Sequence, residues 1–462
     1  MKKFLLVVLA IVFVFSFASC KTQDDTKTEP STESTTTTKT EATEAPQETT
    51  AEMEPVTISV QAETDWMDYY EAAKAAVEAE YPYITVDIIE IGAFDHLDAL
   101  DNTSATNEEI ADVFAAPADR LYGLNDNAQI AYLPAPEIAA EIGGWDDYEA
   151  GLGGAFKIEG NYLGIPMNIE TLLFFANTAN AADAGIDLTK TIELNDLSDE
   201  DLLVAYFNAW FGVAFTNAVN FELLGKDADG NLFSDATKDW ADLTADQQAL
   251  FNHLFDYWKY HQTAGEGGVP DTAWDNSNIW ATMETEYAST GTSSLLLEGP
   301  WNATKFKEIA GDDFAMLPLN QVTLNGNEVA HWKGGWALVV NVRNEGDESK
   351  MMAAQILIEE LLSPDNAISF YQETGKIMEN VPASVYQEST ELEDADKAVI
   401  ATVIESYAGA PARPLFSEWG NVWDTWQNAL LSWSTAGSEP DTAEEAYAIV
   451  QAAFVAMMAS LG

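Results

Sequence analysis

The stretch "VTISVQAETDWMDYYEAAKAAVEAEYPYITVDIIEI", residues 56–91, decides the fold class. Val56 to Val60 alternates in the β manner, Trp66 to Glu80 has a helical pattern, and Ile84 to Ile89 is a second strand. Strand, helix and strand at this spacing make a βαβ unit. Working outward, "IADVFAAP" adds a strand at Asp112 to Ala115, and "LYGLNDNAQIAYLP" a helix and its exit. The economical reading is an α/β fold with parallel strands. Between Ser198 and Gln262 the pattern turns helical and aromatic-rich. It is interrupted by "KDADGNLF", whose Asp227, Asp229 and Asn231 superficially suggest a calcium loop. Gly230 is not at the sixth position and no glutamate closes the loop, so a hairpin turn on Asp229-Gly230 is the better reading. Late in the chain, "HWKGGWALVVNV" (His331 to Val342) is a strand entered through a glycine pair, followed by the helix "SKMMAAQILIEELLS". Two more helices occupy Ser417 to Ala459. Trp419, Trp423 and Trp426 share a face of the first, and Trp426 and Trp433 read as core.

Bulk properties narrow the class. The 462 residues are 47% hydrophobic, enough for a large core or two lobes. Residues 1–19 carry Lys2 and Lys3 and then an apolar run too short to span a membrane, which is the pattern of a secretion signal. It ends at Cys20, the only cysteine, and Phe17 to Cys20 resembles a bacterial lipoprotein cleavage box with Phe17 where leucine is usual. Lipidation of Cys20 is therefore expected, with anchoring on the extracellular face of the membrane. Lys21 to Glu54 is rich in Thr, Glu, Ser and Ala. It reads as a disordered tether with a reach on the order of 30 Å. Net charge is −57, and from Pro55 onward 68 acids still face 15 bases. That excludes nucleic acid as a partner and disfavours anionic ligands.

The catalytic signatures are absent. The four histidines (His96, His253, His261, His331) form no metal-ligand pair, the body has no thiol, and no phosphate loop or nucleophile elbow is present. No metal and no cofactor are expected. The chain is instead rich in tryptophan, 14 in all, several beside glycine, proline or polar residues. Flat indoles suit the apolar faces of sugar rings, and carboxylates suit adjacent hydroxyls.

In order along the chain, "ADVFAAPADRL", "YLGIPMNIETLLFFAN", "SSLLLEGPWN", "GGWALVVNV" with the block "SPDNAISFYQETGKIMENVPAS", and "ARPLFSEWGNVWDTW" resemble the extracellular solute-binding proteins of carbohydrate ABC transporters, the maltodextrin-binding type. The resemblance covers roughly Val56 to Leu461. It implies two discontinuous α/β lobes joined by hinge crossings, the type II periplasmic-binding-protein architecture. Residues 55–166 and 335–382 would form one lobe, and 167–334 and 383–462 the other. It also implies a role for Glu170, an acid in an otherwise apolar run, as a sugar-binding group on the cleft floor. Asp119 and Arg120 match a hydroxyl-binding pair, although one extra residue separates them from Phe114, and Ala115 and Ala116 stand where the family has a stacking tryptophan. Trp301 in "EGPW" matches a stacking tryptophan. Trp423 matches another, with Trp419 as competitor. Trp210 lies where a further aromatic is supplied. Trp66, from its position after the first strand, and Trp336 complete the expected sugar-binding set. The implied function is capture of a neutral mono- or oligosaccharide, such as a maltodextrin, by a non-enzymatic monomer that delivers it to ABC permease subunits. The alternatives are an extracellular glycoside hydrolase and a surface carbohydrate-binding lipoprotein that serves no transporter.

Overall fold

The computed structural model describes residues 54–263, 271–288, 291–437 and 439–462. The expected signal, Cys20 and nearly all of the tether lie outside the described residues. The βαβ unit forms as read. Strand β1 (Val56–Ala62) pairs in parallel with β2 (Ile84–Glu90), and helix α1 (Met67–Glu80) links them. Tyr69, Tyr70, Ala73 and Val77 are the buried face of α1, at the three- and four-residue spacing that packs a helix on a sheet. Helix α2 (Ala93–Asn102) leads to β3 (Val113–Pro117), again parallel to β1, and α3 (Arg120–Asp126) follows.

The sheet is not parallel throughout. Its six strands include β4 (Ile165–Glu170), β9 (Gly334–Val340) and β10 (Ile377–Met378) in the order β10-β4-β9-β3-β1-β2. Strand β9 runs antiparallel to both β3 and β4, and β10 antiparallel to β4. The cause is chain routing. A strand closing a βαβ unit enters from the far end of the sheet, whereas β9 arrives from the second sheet and enters at the opposite end.

The second sheet has four strands: β5 (Leu173–Asn177), β6 (Leu202–Leu203), β7 (Leu295–Glu298) and β8 (Phe314–Leu317), in the order β8-β5-β7-β6. Only Thr171 and Leu172 separate β4 in the first sheet from β5 in the second, so the chain crosses there. Around the second sheet lie α4 (Ala209–Ala218), α5 (Ala245–Thr263), α6 (Ala303–Ala310), α9 (Asp394–Ala408), α10 (Gly420–Leu431) and α11 (Ala443–Leu461). Helices α7 (Glu348–Leu361) and α8 (Ala367–Thr374) pack on α1. Trp426 and Trp433 are fully buried. The Asp229-Gly230 segment is a hairpin turn in which Asp227 accepts from the backbone of Asp229 and Asn231.

The two ends of the first sheet carry different chemistry. At the N-terminal end of β3, buried Asp112 accepts from Ser59 N–H (2.9 Å) and Arg343 Nε (2.8 Å) and lies 3.2 Å from Lys350 Nζ. Burial works against the Asp112 carboxylate, but these donors outweigh it and hold the group below its ordinary range. The opposite end opens toward the second sheet, where ligand clefts of α/β sheets form.

Candidate functional site

Three adjacent strands of the first sheet place the floor. Glu170 is the last residue of β4, Trp336 lies on β9 beside it, and Lys376 immediately precedes β10 on the other flank. Trp336 Nε1 donates to both Glu170 carboxylate oxygens at 3.2 Å. Lys376 Nζ stands 3.9 Å from Glu170 Oε1, 4.7 Å from the centre of the Trp336 ring and 5.4 Å from that of Trp66. An acid in an apolar strand is thus tolerated because its strand ends there, beside an indole donor and an ammonium group. A register shift between Trp336 and Ala337, opposite Asn168 and Pro166, interrupts the ladder. Proline has no N–H to give, so it sits at the bulge, and the bulge re-aims Trp336. The glycine pair permits the close pairing: a β-carbon at Gly335 would lie 2.2 Å from the Asn168 carbonyl oxygen.

Across the cleft, Asn208 caps α4 by accepting from Trp210 N–H (3.0 Å), which sets Trp210 at the cleft-facing end of that helix. Arg413 reaches in from the segment before α10. Its Nη2 lies 3.0 Å from Asp119 Oδ1, and its guanidinium carbon is 4.9 Å from the Trp210 ring, 5.4 Å from Trp332 and 5.9 Å from Trp423. Arg120 turns away from Asp119 and pairs with Asp101. Beneath Trp210, buried His331 donates from Nε2 to the Trp210 carbonyl (2.9 Å). Burial and then the nearby Arg413 charge push this imidazole down to about 3, so it stays neutral. Trp301 follows β7 and lies against Gly299, where a β-carbon would come within 2.1 Å of its ring.

Apart from His331, Trp332 and Asp101, these groups line one cleft of about 1190 Å³. Of the residues expected from sequence, Trp66, Asp119, Arg120, Glu170, Trp210, Trp301, Trp336 and Trp423 all border it. Trp419 does not. It is buried behind Trp423, its ring 4.7 Å from Trp423 and 4.8 Å from Trp332. Arg413, Lys376 and Phe94 also line the cleft and were not singled out from sequence. Arg413 had a usable signal, a basic residue inside "ARPLFSEW" in a chain with few bases. Among the described residues no cluster of three or more His, Cys, Asp or Glu side chains could hold a metal ion.

The family model for bacterial extracellular solute-binding proteins matches residues 47–398. The chain belongs to that family. Solved structures place this solute-binding protein in the same fold. The maltopentaose complex of MalX from Streptococcus pneumoniae matches with a TM-score of 0.66 at 20% identity, covering 88% of this chain and 100% of that one. The GacH receptor of Streptomyces glaucescens, described unliganded and with acarbose, matches at 0.65 and 16% identity, covering 88% and 99%. The maltose complex of MalE from Listeria monocytogenes matches at 0.61 and 19% identity, covering 86% and 97%. No curated protein matches by sequence. The architecture of this solute-binding protein is therefore the two-lobe type II fold. Among the described residues no helix is long and apolar enough to cross a membrane.

Proposed function

We propose that this solute-binding protein captures a neutral sugar, a short oligosaccharide of the maltodextrin kind, and delivers it to the permease of an ABC transporter while anchored outside the membrane through a lipid on Cys20. The observation that carries this reading is the joint presence of Trp66, Trp301, Trp336 and Trp423 with Glu170 and Asp119 around one cleft of about 1190 Å³. Indole faces take the C–H faces of pyranose rings, and fixed carboxylates accept from their hydroxyls. That volume exceeds a typical small-molecule pocket, roughly 300–1,000 Å³, and leaves room for several sugar rings. The comparison proteins named above with maltopentaose, maltose and acarbose support the same class. Binding rather than hydrolysis is favoured by the match to a family of solute-binding proteins.

Calorimetry of residues 54–462 against neutral oligosaccharides tests this. Saturable binding with the sugar recovered intact is expected, and a radius of gyration that falls on saturation, since closing two lobes is a hinge motion. Affinity for a neutral ligand should change little with added salt despite the charge of −57. Cleavage of the sugar would install the hydrolase in place of this reading, and no binding across the panel would remove it.

A further inference from the structure

Among the described residues Phe94 is the most exposed large hydrophobic side chain, 59% accessible, and it lines the cleft. Its exposure is not demanded by packing. Helix α2 buries Ala93, His96, Leu97 and Leu100 as one stripe, and Phe94 lies off that stripe beside the exposed Asp95. Lone exposed apolar residues are common, so position has to decide the matter. The Phe94 ring lies 5.4 Å from the Trp336 ring at 71°, an edge contact, and Trp336 is itself pinned by its two bonds to Glu170. Phe94 thus rests on an anchored support, which lowers the entropy lost when a ligand lands on it.

The other aromatics of this wall, Trp66, Trp336 and Tyr371, are each far less accessible than Phe94. Lys376 stands over both Trp66 and Trp336, and Trp66 also stacks on Tyr70 at 6.2 Å and 19°. At this level β3 contributes only Ala115, Ala116 and Pro117, and both alanines are fully buried. Across the cleft Arg413 lies over Trp210 and Trp423, while Trp301 remains 43% exposed. Phe94 and Trp301 are the most exposed aromatic side chains that line the cleft.

We infer that Phe94 is the stacking platform of the first-sheet wall and holds a pyranose ring jointly with Trp301. The inference rests on the sugar reading of the cleft. A flat phenyl face accepts a ring whose C–H groups project together from one side, so Phe94 selects sugars with an unbroken C–H face over epimers that place an axial hydroxyl on it.

The test is titration calorimetry of residues 54–462 with maltotriose, cellotriose, xylotriose, mannotriose and galactotriose, on the wild type, Phe94→Ala, Phe94→Leu, Phe94→Tyr and Trp301→Ala. For the sugar that the wild type binds tightest, Phe94→Ala should weaken binding about tenfold. Phe94→Tyr should stay within about twofold, because it keeps the ring. Phe94→Leu should resemble Phe94→Ala, because it keeps apolar area but loses the flat face. Preference between epimers should narrow in Phe94→Ala with no change in melting temperature. If the wild type binds sugar and Phe94→Ala binds it equally, or Phe94→Leu matches Phe94→Tyr, the inference fails while the sugar reading stands. If the wild type binds none of the five, both fall.

Discussion

The two walls of the cleft solve one problem with different cations. On the first-sheet wall Lys376 sits over Trp66 and Trp336 and stands 3.9 Å from Glu170, with 13% of its side chain accessible. On the opposite wall Arg413 sits among Trp210, Trp332 and Trp423 and pairs with Asp119 at 3.0 Å, with 3% accessible. A planar guanidinium can bond a carboxylate edge-on while its face lies on indoles, whereas an ammonium is a compact charge on a flexible stem. The arginine side is therefore fixed before ligand arrives, and the lysine side keeps room to adjust.

Breaking the tighter pair should have the largest effect. Arg413→Ala removes a buried cation together with its packing on three indoles and leaves Asp119 without its partner, with an expected loss of about 3 kcal/mol in unfolding free energy; chemical denaturation measures it, and a change within error would show the pair to be ornamental. Next comes Trp423→Ala, expected to cost about 2 kcal/mol of sugar affinity, roughly 30-fold, by calorimetry. Trp419→Phe, behind it, should bind nearly as the wild type does, and equal losses at both positions would contradict the order in which the structure stacks them. The looser wall should yield less. Lys376→Met keeps the stem and removes the charge, and a loss of about 1 kcal/mol of affinity is expected; a loss equal to that of Trp423→Ala would erase the distinction between the walls.

The smallest effect on ligand belongs to Glu298, at the end of β7 just before Trp301. Unlike Glu170 it is almost wholly buried. Burial, only partly offset by Gly299 N–H, Asn302 and Lys305, pushes it up to about 7. A carboxyl that holds its proton more tightly when folded contributes stability that is fully present below about pH 4.5 and lost as pH rises through about 7. Glu298→Gln should match the wild type in sugar affinity and in melting temperature at pH 4, and exceed it in melting temperature at pH 8. A melting difference that does not vary with pH would show that the carboxyl does not titrate in this range.

Much of this was legible before any coordinates. The βαβ start follows from local periodicity, Glu170 stands out as an acid in an apolar run, and Trp301 and Trp423 follow from the family resemblance of their segments. What was not legible depends on register between distant segments. The antiparallel β9 follows from its entry after the excursion into the second sheet, and Lys376 reaches Glu170 only because β10 pairs with β4. Arg413 meets Asp119 across 294 positions of sequence. Phe94 carries no periodic signal, since it lies on the polar face of its helix. Trp419 and Trp423 are one helical turn apart, and spacing alone cannot say which one stands in front.

The Asp119–Arg413 pair also has a kinetic meaning. Asp119 follows a strand of the first sheet, and Arg413 leads into α10, which packs on α4 and α11 of the second. An opening that carries Arg413 away from Asp119 has to break this ion pair, so the pair is expected to act more on escape than on entry. Capture then depends on how often the jaws stand open, and residence time on how long the pair holds. Stopped-flow displacement should show Arg413→Lys shortening sugar residence more than it slows association, the usual partition of changes within one interface.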